Sequence, residues 1–261
     1  MGPLPPLGLV AFAGRERVRA SLQKLPRRRV HVTLTADLPA FRAALRQQLV
    51  DAVLVDLGSG ESAWQAAGLV PDLPSAAWFG AAAWRAADGP AIDRAIRLGM
   101  GDVLADGIDD ALVAPLVLRS GFTVRFASAM ADPPAAFRLV RPVQRAAWDV
   151  LVALGGRPVT TSDVAARLDV SREHLSRAFA AAGAPNLKRV IDFVRLAAAA
   201  ALAKNPLYDT GDVARVLRFA SASHLATATR RIVGLTPSSL ARLRPAELAD
   251  HFVRGHARSR S

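Results

Sequence analysis

The chain is 261 residues long, carries 34 Lys+Arg against 22 Asp+Glu, and contains no cysteine. That length accommodates two ordinary domains, and the missing cysteine excludes disulfide frameworks and thiolate metal sites. The charge is uneven, with 14 basic against 13 acidic residues in 1–137 and 20 against 9 in 138–261. A near-neutral half joined to a strongly basic one is the pattern expected of a nucleic-acid-binding module attached to another domain. The five histidines show no H-x₃-H or HExxH spacing, so neither a metal site nor a cofactor is expected. The N-terminus MGPLPPLGLVAFAG is interrupted by prolines and lacks an initial basic region, which makes it a poor signal peptide. The Ala-rich run Leu196–Ala203 falls far below the ~20 apolar residues of a membrane span. A cytoplasmic protein without a membrane partner is the expectation.

In the front half, apolar runs alternate with helical periods. Strands are expected at Leu7–Ala13, Val30–Thr35, Ala52–Val55 (closed by Asp56), Ser75–Phe79 and Asp102–Leu104. Helices are expected at Arg15–Leu25, Pro39–Val50 (Phe41, Leu45 and Leu49 on one face), Pro90–Leu98 and Asp109–Leu118. This alternation predicts an α/β doubly wound parallel sheet of five strands. Residues 119–142 lack a sustained period and contain Pro133-Pro134, so they read as a connection. The expected division is 1–120 for the α/β domain, 121–142 for the linker, 143–244 for an all-α domain with two helix-turn-helix units, and 245–261 for a basic tail.

DAVLVDL (51–57) and LGMGDVLADG (98–107) resemble segments of response-regulator receiver domains. The resemblance implies a phospho-acceptor at Asp56. Receiver chemistry also needs an acidic pair after the first strand, because a divalent metal must offset the charge of the incoming phosphoryl group. Here Phe12-Ala13-Gly14 follows that strand. The hydroxyl position at the end of the fourth strand matches Gly80, and the Lys after the fifth matches Asp106. These departures imply a pseudo-receiver, serving dimerisation or contact with a partner. Asp56 then reads as a strand-ending residue that caps the following turn.

In the back half, a first helix over Val143–Leu154 is stopped by Gly155-Gly156. Thr160 and Asp163 form a capping box, and TSDVAARLDVSREHLSRAF (161–179) has the spacing of a helix-turn-helix. Val164, Leu168, Val170, Leu175, Phe179 and Ala182 form its inner faces, and Ser171 caps its second helix. Arg172, Glu173, Ser176 and Arg177 make the outward face, which could equally be a solvated charged surface with a Glu173–Arg177 i,i+4 pair. Asn186 caps a long helix to Lys204. A second unit follows, with helices at Asp209–Leu217 and Ser221–Val233 and Phe219 in the turn.

VSREHLSRAF (170–179), Arg195-Leu196, RFASASHL (218–225) and GLTPSSLARL (234–243) are similar, in order and spacing, to motifs of the AraC/XylS transcription regulators. The resemblance implies binding to double-stranded DNA; RNA polymerase and a second copy of the chain, the latter through the front half, are the other partners considered. It places Glu173, Ser176 and Arg177 toward bases, with Arg177 suited to a bidentate contact with guanine, and Ser171, Arg172 and His174 toward the backbone. Ser221, Ala222, Ser223, His224, Ala226 and Thr227 take the corresponding places in the second unit. That unit departs from the family: Arg218 stands for a turn glycine, Leu225 and Thr229 for aromatics, Thr227 for an arginine, and Leu240-Ala241 for Tyr-Arg. Phosphate contacts through Arg230 and Arg231 are therefore expected in place of base reading. Two alternatives stay open, a regulator phosphorylated at Asp56 and an interaction protein that has lost DNA binding. An enzyme is not expected, because the sequence holds no Gly-rich phosphate loop, no G-x-S-x-G and no His/carboxylate constellation.

Overall fold

The computed structural model describes residues 2–83, 85, 89–105, 107–180 and 183–258. Asp106, Ala182 and the last three residues of the tail lie outside them. The chain divides into two compact units, one on Pro5–Val124 and the other on Arg125–Lys204 with Tyr208–Ser261.

In the first unit, β1 (Leu7–Phe12), β2 (Val30–Thr35), β3 (Ala52–Asp56), β4 (Ala77–Ala82) and β5 (Asp102–Ala105) form one parallel sheet in the order β2-β1-β3-β4-β5. This is the doubly wound order 2-1-3-4-5 shared by flavodoxin-like and receiver-like folds. The five-stranded sheet followed by an all-α region matches the expectation from sequence. The strands alternate strictly. Leu7, Leu9 and Ala11 of β1 join Val18 and Leu22 of α1 (Glu16–Gln23) and Val113 and Val117 in one apolar layer. Phe12 turns to the other face, where its ring meets Phe41 of α2 (Leu38–Gln47) edge-on at 5.6 Å, and Phe41 in turn meets Trp78 at 6.4 Å. With both faces covered, every β3 residue is buried, which is why Ala52–Val55 reads as a continuous apolar run. α3 (Glu61–Ala67) was not evident from sequence because it buries only small residues, Ala63, Ala66 and Ala67. α4 spans Gly89–Arg97.

Asp51 is a buried carboxylate at the start of β3, accepting hydrogen bonds from Gly8 N–H and Thr123 N–H, both at 2.7 Å. It ties β1, β3 and the start of α6 together. Charge-assisted bonds of this kind offset the desolvation of a buried carboxylate.

The stretch Asp110–Ala129 is long and apolar enough to cross a membrane by length and composition. Gly121, with ψ 156°, breaks it into α5 (Val113–Ser120) and α6 (Phe122–Ala129). Its apolar side chains Val113, Ala114, Val117, Phe122 and Phe126 are buried in the protein.

The second unit contains α7 (Pro142–Ala153), α8 (Thr161–Arg167), α9 (Arg172–Ala180), α10 (Leu187–Leu202), α11 (Thr210–Val216), α12 (Ala222–Val233), α13 (Pro237–Leu240) and α14 (Pro245–Arg258). The segments read as linker and tail are structured. Phe137, within the expected linker, and Phe252, within the expected tail, are fully buried. With Trp148 of α7 and Phe193 of α10 they form an aromatic cluster, its nearest ring centroids 4.8–5.9 Å apart along Phe137. Trp148 donates its indole N–H to the Met130 carbonyl at 2.7 Å. The segment 121–142 is therefore partly helix and partly core. Residues 245–258 form a helix with Leu248, Ala249 and Phe252 buried against the rest of the unit.

Candidate nucleic-acid interface

Both helix-turn-helix units form as local sequence dictates. Thr160 and Asp163 cap α8 reciprocally, with Thr160 N–H to Asp163 Oδ2 at 2.8 Å and Asp163 N–H to Thr160 Oγ1 at 3.1 Å. The hydrogen bonds from Thr160 hold the Asp163 carboxyl below the usual carboxylate range. Asp209 and Asp212 cap α11 in the same way. Ser171 accepts from His174 N–H at 3.1 Å to start α9, and Ser221 accepts from His224 N–H at 3.0 Å to start α12. Asn186 caps α10 through Arg189 N–H at 2.9 Å. Each cap satisfies an otherwise unpaired helix N–H.

α8 and α9 pack on each other and on α7, whereas α11 and α12 pack on each other and on α10. Leu175, Ala178 and Phe179 of α9 point inward, as do Leu225, Ala228, Thr229, Ile232 and Val233 of α12. Thr229 stands where the related motif has an aromatic and is fully buried, with its hydroxyl donating to the Leu225 carbonyl at 2.8 Å. That back-bond to the preceding turn is how a buried threonine is satisfied in a helix. Leu240 fills the position of the closing tyrosine and is likewise buried.

Ser171, Arg172, Glu173, His174, Ser176 and Arg177 are all exposed on the outer side of α9 and its cap. Among the described residues Glu173 and Arg177 form no ion pair, so the intrahelical pairing considered for this face is not present. On α12 and its cap, Ser221, Ser223, His224, Thr227, Arg230 and Arg231 are exposed, and Ala222 and Ala226 half-buried. The two outer faces differ in chemistry. The first begins with charged and hydrogen-bonding side chains, while the second carries Ser223, His224 and Thr227 before Arg230 and Arg231. Arg231 is held at 3.1 Å by Asp192 of α10, which reduces the charge it can offer elsewhere.

Arg195 is a residue whose role the sequence did not reveal. Its guanidinium lies 4.1 Å from the centroid of the Phe219 ring and donates to the carbonyls of Leu217 (3.0 Å) and Arg218 (3.4 Å). It therefore ties α10 to the turn of the second unit and satisfies carbonyls at the end of α11. Burial lowers its pKa, opposed by the nearby Asp192. Phe219 also meets the His224 ring edge-on at 5.9 Å, so Arg195, Phe219 and His224 form one contiguous cluster. Both turns place a residue with a side chain in the left-handed region, Asp169 (φ 55°) in the first and Arg218 (φ 55°) in the second.

In the α/β unit, Asp56 ends β3 and is fully buried. Its side chain makes no cap to the short 3-10 turn that follows, contrary to the capping role read from sequence. It accepts instead from the Arg15 backbone N–H (3.0 Å), Arg15 Nε (2.6 Å) and the Ser59 hydroxyl (2.5 Å), and pairs with Arg15 Nη2. β4 continues to Ala82, three residues beyond the expected end, so Gly80 lies within the strand and pairs with Val55. Ala81, Ala82 and Ala83, which follow it, carry no hydroxyl either.

Residues 164–243 match the model of a family described as a helix-turn-helix domain. The match begins within α8 and ends after α13, so the matched domain includes both units and the whole of α10. α7 and α14 lie outside the match but pack on this domain. No curated protein matches the chain. Among solved structures, the chain is similar to full-length FixJ from B. japonicum, at 17% identity over 88% of this chain and 98% of that one, with a TM-score of 0.39.

Proposed function

We propose that the protein is a sequence-specific, DNA-binding transcription regulator. Its receiver-like half serves dimerisation or signal input without being phosphorylated, and the chain performs no enzymatic chemistry. The observation that carries this reading is the AraC-type pair of helix-turn-helix units with capped, outward-facing helices, in the half of the chain that holds most of the excess positive charge. A helix of this kind fits the major groove by its N-terminal end. Arg177 on α9 is the specificity residue, since its planar guanidinium can donate to the O6 and N7 of one guanine. Ser171, Arg172 and His174 anchor the same helix to phosphates. Through Arg230 and Arg231 the second unit holds the backbone, and Ser221, Ser223, His224 and Thr227 add short polar contacts. RNA polymerase and a second copy of the chain complete the partners, in the cytoplasm.

The test is selection of bound genomic fragments by the full-length protein, followed by titration of the selected site. Arg177→Ala should weaken that site by about 1–3 kcal/mol and relax preference at one base pair. Arg230→Ala should weaken all duplexes alike and lower the salt dependence by about one phosphate contact. Recovery of no sequence motif, together with absence of salt-dependent binding, would favour an interaction protein that has lost DNA binding. The departures at Thr227 and Leu240-Ala241 keep that second reading in view.

A further inference from the structure

The receiver fold implies a divalent metal beside the carboxylate at the end of β3, and the residues here do not fit one. A magnesium ion needs several oxygen ligands in near-octahedral array. Among the described residues no group of three or more His, Cys, Asp or Glu could hold a metal. The loop after β1 supplies Ala13, Gly14 and Arg15 and no acidic pair. Arg15 directs its guanidinium onto Oδ1 of Asp56, while its backbone N–H and the Ser59 hydroxyl occupy Oδ2. Three hydrogen bonds and the ion pair with Arg15 Nη2 thus occupy both oxygens of the carboxylate.

This arrangement is built into both loops. Gly14 N–H donates to Ser59 Oγ at 3.0 Å, which fixes the hydroxyl so that it gives its own proton to Asp56. A Cβ on Gly14 would lie 2.7 Å from that oxygen. A Cβ on Gly58 would lie 2.7 Å from the Arg15 guanidinium carbon. The two glycines thus leave the space that the hydroxyl and the guanidinium fill.

We propose that Arg15 is the resident cation of this pocket: its guanidinium replaces the divalent metal, and Asp56 is a structural counter-ion that does not accept a phosphoryl group. The pair clamps the β1–α1 loop to the β3–α3 loop, so any signal enters this half by contact or ligand and not by phosphorylation. The inference rests on the non-phosphorylated reading of this half and is independent of whether the other half binds DNA.

The test uses the full chain and two probes, Mg²⁺ alone and a small phosphodonor with Mg²⁺. The parent should melt at the same temperature with and without millimolar Mg²⁺, and its intact mass should show no phosphoryl adduct. A Mg²⁺-dependent rise in melting temperature, or an adduct abolished by Asp56→Asn, overturns the proposal. Arg15→Gln should lower the melting temperature by roughly 5–10 °C, because it strands a buried carboxylate. The double variant Arg15→Gln/Asp56→Asn should recover much of that loss. Equal losses in the single and double variants would also overturn it. DNA binding measured on the same samples separates a failure here from a failure of the regulator reading.

Discussion

Gly156→Ala tests how the helix-turn-helix domain is fitted to α7. Gly155 and Gly156 end α7 with positive φ, 60° and 80°. Sequence accounts for this as a helix stop, but the structure adds a closer constraint. A Cβ on Gly156 would lie 2.3 Å from the Ala198 Cβ and 3.3 Å from Leu217 Cδ2. Ala198 belongs to the middle of α10, so relief requires moving a 16-residue helix rather than rotating a side chain. Two costs add. A left-handed backbone carrying a side chain costs about 1–2 kcal/mol, and overpacking a rigid contact costs about 1–3 kcal/mol. The smaller unfolded-state entropy of alanine offsets about 0.4–1 kcal/mol, leaving a net loss of about 2–4 kcal/mol. Urea unfolding of the full chain gives the loss, and amide exchange in α10 assigns it, because the two units need not unfold together. Adding Ala198→Gly should recover the steric part but not the dihedral part, which appears as a coupling of at least ~1 kcal/mol in a double-mutant cycle. Gly156→Ala as stable as the parent, or with no coupling to position 198, would refute the close-approach argument.

Three further outcomes follow from the same structure. Arg218→Gly, at φ 55° in the second turn, should stabilise by about 0.5–1 kcal/mol, read as a higher urea midpoint at unchanged slope. Phe252→Ala should cost about 3–5 kcal/mol and strip exchange protection from α10, whereas an indifferent tail would lose almost nothing. The carboxyl of Asp163 is held below its ordinary value of 3.8 in the folded state. Its contribution is therefore fully present above that value and is lost as pH falls through the lower, folded one. Acid titration of amide exchange at the start of α8 should show this fraying in the parent and not in Asp163→Asn.

The elements that were legible in sequence are those whose signal is local. Strand alternation and the caps at Thr160, Ser171 and Asn186 depend on residues within a few positions of each other. β2 accordingly spans the expected Val30–Thr35, and α10 starts after its expected cap. α6 was hidden although Phe122, Phe126 and Met130 follow a four-residue period, because Pro133-Pro134 and the short apolar stretch read as a connection. Phe137 and Phe252 carried no periodic signal; each is a single aromatic whose partners come from α7 and α10. Their burial is a tertiary fact, and it carries the core of the helical unit past both ends of the matched motif.

The pocket at Asp56 separates the two kinds of information most sharply. Position by position, sequence could register that the acidic pair and the hydroxyl were missing, which speaks against metal-assisted phosphorylation. It could not register what replaced them, because Arg15 and Asp56 are 41 residues apart and meet only when β1 and β3 pair in parallel. Loss of function by drift would leave a buried carboxylate short of partners, at a cost that selects against the fold. Here the carboxylate accepts three hydrogen bonds and pairs with the Arg15 guanidinium, and glycines at 14 and 58 make room for these partners. Asp56 is thus tied to its loops by a rebuilt pocket, and the role of this half is to be sought in the surface those loops hold in place.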